Sequence, residues 1–580
     1  MIDFLYSWIR DRRFLDCQDY TRIIEKQKEI VLIHKEEFDN SKNDKNLNTI
    51  IASANLYALY LFKGGRYDEA VDISNKIVDF CKKNLANHKD IKHELVNSYF
   101  IIADKYYKFY QVKDAKKYYN KIIKFIGSDE AYSATKQGQF DLYDAYISAL
   151  STDHLDCDNP NDLEKIHNLL MEAHKIALDI VEFYDDDESK RYLMMSYLRL
   201  GNFYASKNSP IQSLTLYRQA RDLALDIYQR TNNEMDHINL INCDIAPVEI
   251  YYGMNNKDDL NAILVKSIER LERMRNEHMF LPTVNLLIVC LSNMCAVKLS
   301  EGEHEEAVRY ALNTKLLARL AKNTWDCPEQ KIIYAKALMQ YGSVIEKENF
   351  SKTISDIQKA SNYIEDLVNR KDLHEASDLY VNANVHLFNI FMEKGIKQEA
   401  FEHLLKAIDV QERRSAYFPD LNNLRDSADL YELARNAYFK EKDTKNALEY
   451  TEKVMNARKA IMNISRYAFD LFAFTMNLSE IGNMYRLLSE FEVAETYIRK
   501  AIQIQKQYLI QSPNDDRFLR AISNSYNYLG LIGQSNKRAE LVLEACKEQK
   551  DIFARLYKIT KDEEFAKLVS ELSAILDVKK

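Results

Sequence analysis

The chain has 580 residues, only 7 Pro and 12 Gly, and 29% charged residues, so it lacks the Pro-, Gly- or Ser-rich linkers that would divide it into ordinary globular domains. Its 46% hydrophobic content excludes bulk disorder, and a net charge of −8 argues against a nucleic-acid coat, which needs a strongly basic surface. Eight Cys without a CxxC pair are too sparse for a disulfide scaffold and fit buried thiols in a reducing compartment.

The opening stretch MIDFLYSWIRDRRF interrupts its apolar residues with Asp3 and Arg10, unlike a signal peptide. No run approaches 18 apolar residues, so no transmembrane span is expected and the expected location is the cytoplasm. Residues 1–36 read as a helical N-terminal cap or docking segment. The next stretch with a clear pattern, Leu56–Ile77, is two amphipathic helices back to back, and the same design recurs at Tyr197–Ala220, Asn389–Ala407 and Leu478–Ala501. Between them, Ser151–Lys165 reads as a longer loop in an irregular repeat near 130–185, the expected place for a bend. The acidic tract Asp185–Glu188 fits a solvated helix start, and the segment from Asp562 to Asp577 a closing amphipathic helix. The solenoid is therefore expected to span 37–553, with 554–580 as a C-terminal cap.

A small or apolar residue opening each second helix sets the register: Ala70, Ala115, Ser213, Leu260, Ala307, Ile354, Ala400, Ala447, Ala494 and Ala539. From Ser213 to Ala494 the successive gaps are 46 or 47 residues. The motifs around these positions, such as Leu200-Gly201 followed by Tyr204, and the pair Ala494 and Ala501 around Tyr497, resemble the tetratricopeptide repeat family. That family's period is about 34 residues, so this is its long-period form, each helix gaining one to two turns. Phe388 and Val248 stand where the family prefers Gly or Ala. The resemblance implies an all-α, right-handed α-solenoid (superhelix) of about eleven helix-turn-helix repeats, in which one pair cannot cover its own apolar face and neighbours bury it.

Motifs for catalysis are lacking. Gly64-Gly65 is not followed by the Lys-Ser/Thr of a phosphate loop, and His304-Glu305 and His374-Glu375 each lack the second His of a zinc protease helix. No cofactor is expected and the chain is read as a non-enzyme. His154, Cys157, His167 and His174 have two-turn and loop spacings that zinc would have to draw together, and they are read as surface groups. The basic, aromatic stretch Lys105–Phe125 could track a single strand of nucleic acid, but Tyr106 and Tyr119 fall at core positions.

One constellation points to binding. Eleven residues before the anchor stand Asn202, Asn389, Asn436 and Asn483, with Asp104, Glu249 and Ser343 in the same slot elsewhere. Asn is a mediocre helix former, so propensity does not explain its recurrence. In the resembled family this slot faces the concave groove, where an amide that donates and accepts suits a peptide backbone. One turn on stand Lys63, Lys108, Lys347 and Lys440. The expected function is a peptide- or protein-binding scaffold or sensor working through that groove. The alternatives are a regulatory subunit of an effector complex whose catalytic part is on another chain, and a nucleic-acid-binding repeat protein. Salt dependence would separate the last of these from groove binding.

Overall fold

The structure, a computed structural model, describes residues 20–41, 43–85, 88, 91–155, 160–465 and 467–578. The described residues form helices and short turns, without a strand. They fall into two compact units, one ending at His403 and the other beginning at Leu404. Within each, helices pair antiparallel through short turns, and each pair stacks on the next.

The pair Asp187–Ser206 with Pro210–Thr231 illustrates why these residues fold so. Asp186 caps the first helix by accepting from the Ser189 backbone N–H at 2.9 Å. Leu193, Leu200, Gly201 and Phe203 turn one face of that helix inward. Its end is closed by Asn208 in the left-handed conformation and by a bond from Ser209 N–H to Tyr204 C=O at 2.9 Å. That five-residue span is the Schellman turn, which satisfies carbonyls the helix end would orphan. Pro210 then starts the second helix, where its missing N–H costs nothing.

The same turn recurs in register. Gly65, Tyr110, Asn208, Asn255, Gly302, Gly395, Lys442 and Ser489 all have positive φ. Each stands five residues ahead of the buried residue that opens the second helix: Ala70, Ala115, Ser213, Leu260, Ala307, Ala400, Ala447 and Ala494. The pair Pro328–Val344 with Phe350–Ile364 departs from this. Its first helix stops early, and Asn349 N–H turns back to Ile345 C=O at 2.8 Å.

Two anchors shift from their sequence assignment. Ile354 is half-buried, whereas Thr353 is fully buried and donates its hydroxyl to Gly342 C=O at 2.9 Å. Ser213 makes the equivalent bond to Gly201 C=O at 2.7 Å, so the hydroxyl marks the site that apolarity alone missed. Ala539 is exposed and Leu541 takes its place in the core. With these corrections, and with Ile166 as the buried opener of the irregular pair, the intervals from Ile166 to Leu541 are all 47 except one of 46, at the irregular turn.

The expected loop at Ser151–Lys165 is mostly helix. One helix runs Lys136–Leu155 and the next starts at Pro160, leaving only the four positions between them outside the described residues. At the N-terminus, residues 1–19 are outside the described set and Tyr20–Ser41 is one continuous helix through the expected boundary at 36. The last helix is Glu563–Val578. Leu281–Glu301 is long and apolar enough to cross a membrane by length and composition, and it packs against the helices on either side, with half of its most apolar window buried in the fold.

The first unit also closes on itself. Tyr67, at the start of the Tyr67–Asn84 helix, donates its hydroxyl to Asp372 Oδ2 at 2.7 Å across 305 residues of chain. Arg370 Nη2 holds the same carboxylate at 2.6 Å. The Tyr67 ring is wedged edge-on between Phe62 and Phe109, at 5.1 and 5.2 Å, and Tyr110 meets the His374 ring at 4.9 Å.

Helix approach within a pair sets the tolerance to substitution. A Cβ at Gly482 would stand 2.6 Å from Ile498 Cδ1 and 3.0 Å from Ala494 C=O, and only the first of these can give way. Gly482→Ala is therefore expected to lower stability by about 1–3 kcal/mol in a denaturant titration. Gly127→Ala, whose Cβ meets nothing within 4 Å, serves as the contrasting substitution and is expected to be neutral or stabilising by up to about 1 kcal/mol. Equal losses in both would contradict the packing account.

Candidate functional site

The helix after the Pro210–Thr231 segment is broken. It runs Glu234–Ile245 and restarts as Val248–Gly253, because Pro247 has no N–H to continue the ladder. On one side lies a cavity of about 1010 Å³, lined from three successive first helices. Asp187–Ser206 contributes Met194, Met195, Leu198, Arg199 and Asn202; the broken helix contributes Asn239, Asn242, Ile245 and Glu249; Leu281–Glu301 contributes Asn293.

These positions follow the repeat. Asn202 and Glu249 stand 47 apart, eleven before Ser213 and Leu260, while Met195 and Asn242 stand seven before them, and all four line the cavity. Tyr217 donates its hydroxyl to Asn202 Oδ1 at 2.7 Å, which fixes the amide and keeps its NH₂ as a donor. Arg199 Nε is buried without a hydrogen-bond partner, and its charge lies beside Tyr143 and Asp144. The wall thus offers amide donors and acceptors, one guanidinium, one carboxylate and soft Met surface.

Two carboxyls on the preceding repeats have unusual acidity. Burial pushes Asp104 up to about 6, against the Tyr119 hydroxyl that donates to it at 2.6 Å. Burial likewise pushes Asp144 up to about 6, against a 3.2 Å bond from the Tyr192 hydroxyl.

Of the residues expected from sequence to bind, Asn202 lines the cavity. Asn389 is exposed on the His374–Glu393 helix. In the second unit Asn436 is exposed and accepts from Arg435 Nε at 3.2 Å, and Asn483 is half-buried and accepts from Arg486 Nε at 3.0 Å. Lys440 ends its helix, exposed. Lys347 lies past the helix end at Val344, in the early turn, and so is not one helical turn along from Ser343. Lys108 sits over the Tyr67 and Phe62 rings, 5.2 and 5.9 Å from their centroids, at the closing contact of the first unit.

Sequence reasoning missed Arg199, Asn239, Asn242 and Asn293. A helical-face reading carried three and seven residues back from the slot would have found Arg199 and Asn242. It also missed Arg435, which stands 47 before Gly482 in the small-residue position yet is only 2% exposed. Burial lowers its guanidinium pKa. Near it Arg458 Nη2 bonds Asp429 at 2.6 Å and Glu432 at 2.9 Å, and Asn477 donates to Glu432 at 3.0 Å.

The other candidates are occupied within the fold. Among the described residues no group of three or more His, Cys, Asp or Glu is placed to hold a metal. Cys157 lies outside the described residues and the side chain of His154 is not described, while His167 meets the Tyr204 hydroxyl at 3.1 Å and His174 the Ser196 hydroxyl at 2.9 Å. In the basic stretch, Tyr106 stacks on Tyr118 at 5.8 Å, Lys121 caps Tyr118 at 4.4 Å, and Tyr119 is buried.

No family model matches the chain, and no curated protein matches it either. Solved structures similar to it include a Signal Transduction ATPase with Numerous Domains protein with a tetratricopeptide repeat sensor from Pyrococcus horikoshii. That match has 14% identity over 70% of this chain and 55% of that one, with a TM-score of 0.38. The human IFIT1 dimer with m7Gppp-AAAA is similar at 14% identity over 85% and 90%, TM-score 0.35. A Rap protein complexed with competence and sporulation factor is similar at 14% over 72% and 99%, TM-score 0.32.

The raised pKa of Asp104 makes the stability of the first unit pH-dependent. The folded carboxyl holds its proton more tightly than the unfolded chain does, so its contribution to stability falls as pH rises from about 4 to about 6. Asp104→Asn keeps an acceptor for Tyr119 and removes that loss. The stability gained by the variant over wild type is expected to grow across this window and stay level above it, read from denaturant midpoints at pH 4.5 and 7.5. A constant difference at both pH values would contradict the assignment.

Proposed function

We infer that this chain is a non-enzymatic binding protein that holds an extended peptide or protein segment in the inner cavity of its first unit. The observation that carries this reading is the convergence of Arg199, Asn202, Asn242, Glu249 and Asn293 from three successive helices on one space of about 1010 Å³. A peptide backbone alternates N–H and C=O, and an Asn side chain can serve either. Arg199 adds a charge-assisted site for a carboxylate side chain or chain end, and Glu249 one for a basic group. Met194, Met195 and Met254 give apolar contact that adapts to different side chains. Preformed backbone-directed donors of this kind bind without a reacting group, and the reading needs no cofactor. The buried thiols Cys81, Cys243, Cys290, Cys295 and Cys327 fit work in a reducing compartment.

Peptides selected by display against the full chain test the assignment. The double substitution Asn202→Ala with Asn242→Ala removes two exposed amides; because it also takes the acceptor from the Tyr217 hydroxyl, a modest fall in melting temperature is expected, and binding is compared well below the transition. The variant is expected to weaken selected peptides by about tenfold or more in fluorescence anisotropy. Unchanged affinity in that variant, with loss instead in Asn436→Ala and Asn483→Ala, would move binding to the second unit and refute the cavity.

A further inference from the structure

The break at Pro247 opens a second, smaller cavity on the other side of the same helix, of about 370 Å³. Tyr217, whose hydroxyl is committed to Asn202, forms part of the wall between the two spaces and lines both. The chemistry on the two sides differs. Where the larger cavity presents amides, the smaller one presents cations: Arg218 and Arg221 from the Pro210–Thr231 helix and Lys266 from the Lys257–Glu277 helix.

A single carboxylate, Asp244, lines the smaller space, and it is already doubly engaged. Arg221 Nε holds its Oδ1 at 2.6 Å, and Arg270 Nη1 reaches its Oδ2 at 2.8 Å from the neighbouring helix. Arg221 Nη1 has a further, looser neighbour in Asp222 at 3.9 Å. Arg218 and Lys266, in contrast, are exposed cations that form no ion pair among the described residues. Three cations and one carboxylate line this space, a local excess of positive charge beside a concave wall, in a chain whose net charge is −8. Low-dielectric walls strengthen that field. The rest of the lining is apolar or aromatic, with Leu214, Ile263 and Tyr251.

We propose that this cavity binds a small organic phosphate, its phosphate between Arg218 and Lys266 and its organic part against Tyr251. Three features select that class. A phosphate monoester carries close to two negative charges at neutral pH, which matches two cations without a partner. Arg supplies a planar fork and Lys a point charge, a combination suited to phosphate oxygens. A volume of about 370 Å³ is at the small-molecule end of ligand pockets and too small for a folded partner. This site stands independently of the peptide reading, since its cations face away from the amide-lined cavity.

Isothermal titration of the full chain with inorganic phosphate, phenyl phosphate and adenosine monophosphate tests it, with acetate as a singly charged control. The expected result is saturable binding of the organic phosphates, tighter than inorganic phosphate, and none of acetate. Arg218→Ala and Lys266→Ala are surface substitutions that should melt like wild type, and each is expected to weaken phenyl phosphate at least tenfold. Lys266→Arg should retain binding. Absence of binding by all three phosphates at millimolar concentration would overturn the proposal, as would binding that survives Arg218→Ala combined with Lys266→Ala. Binding only of a peptide bearing phosphoserine, with none of the small esters, would also overturn it in favour of a protein partner.

Discussion

Two helices can pack at close range only where one of them presents little or no side chain, and several pairs of this chain meet that requirement at one point. Gly201 lies under Ser213 and the Tyr217 ring, Gly342 under Thr353 and Ile357, and Gly482 under Ala494 and Ile498. Where the second partner is Ser or Thr, its hydroxyl bonds the carbonyl of the glycine it faces, adding direction to a contact that is otherwise only steric. Ahead of Ser213 and Ala494, a left-handed residue five positions earlier delivers the second helix to that point. From Ile166 to Leu541 the interval between these openers is 47 residues, with one of 46 at the irregular turn.

The departures from this rule are where the structure gains features. Pro247 breaks one first helix, and the cavities on its two sides have unlike linings, amides on one and cations on the other. Arg435 replaces a glycine with a buried cation, and a network of carboxylates and an amide gathers near it. At the start of the first unit, the turn residue Tyr110 and the helix-opening Tyr67 reach across to His374 and Asp372. A buried phenol on a carboxylate that is also held by Arg370 is a directional contact, and it joins segments that no local rule would bring together.

Much of the architecture could be read from sequence because it repeats. The small openers Ala70, Ala307, Ala400, Ala447 and Ala494 were visible as residues, and all are fully buried. Thr353 and Leu541 were misread because spacing and apolarity alone do not show that a hydroxyl can fill the same position or that a turn has changed length. The Ser151–Lys165 segment looked like a loop from its Asp, Asn and Pro content, yet most of it is helix, since stacking on neighbours outweighs local preference. The amide slot led to Asn202 and Glu249 but not to the cavity itself. The cavity exists because Pro247 interrupts a helix beside them, and the depth of a space between helices is not written in any one helix. The contact of Tyr67 with Asp372 was beyond reach for a similar reason, as 305 residues separate them and no periodicity links them.

The proposed ligand site is the polar wall at the broken helix. Hydrogen–deuterium exchange of the full chain, with and without a peptide selected for binding, tests it most directly. The account predicts slowed exchange in Asp187–Ser206, in the segments flanking Pro247 and in Leu281–Glu301, the three helices that line the cavity. Protection confined to other helices, with these three exchanging as in the free chain, would contradict it.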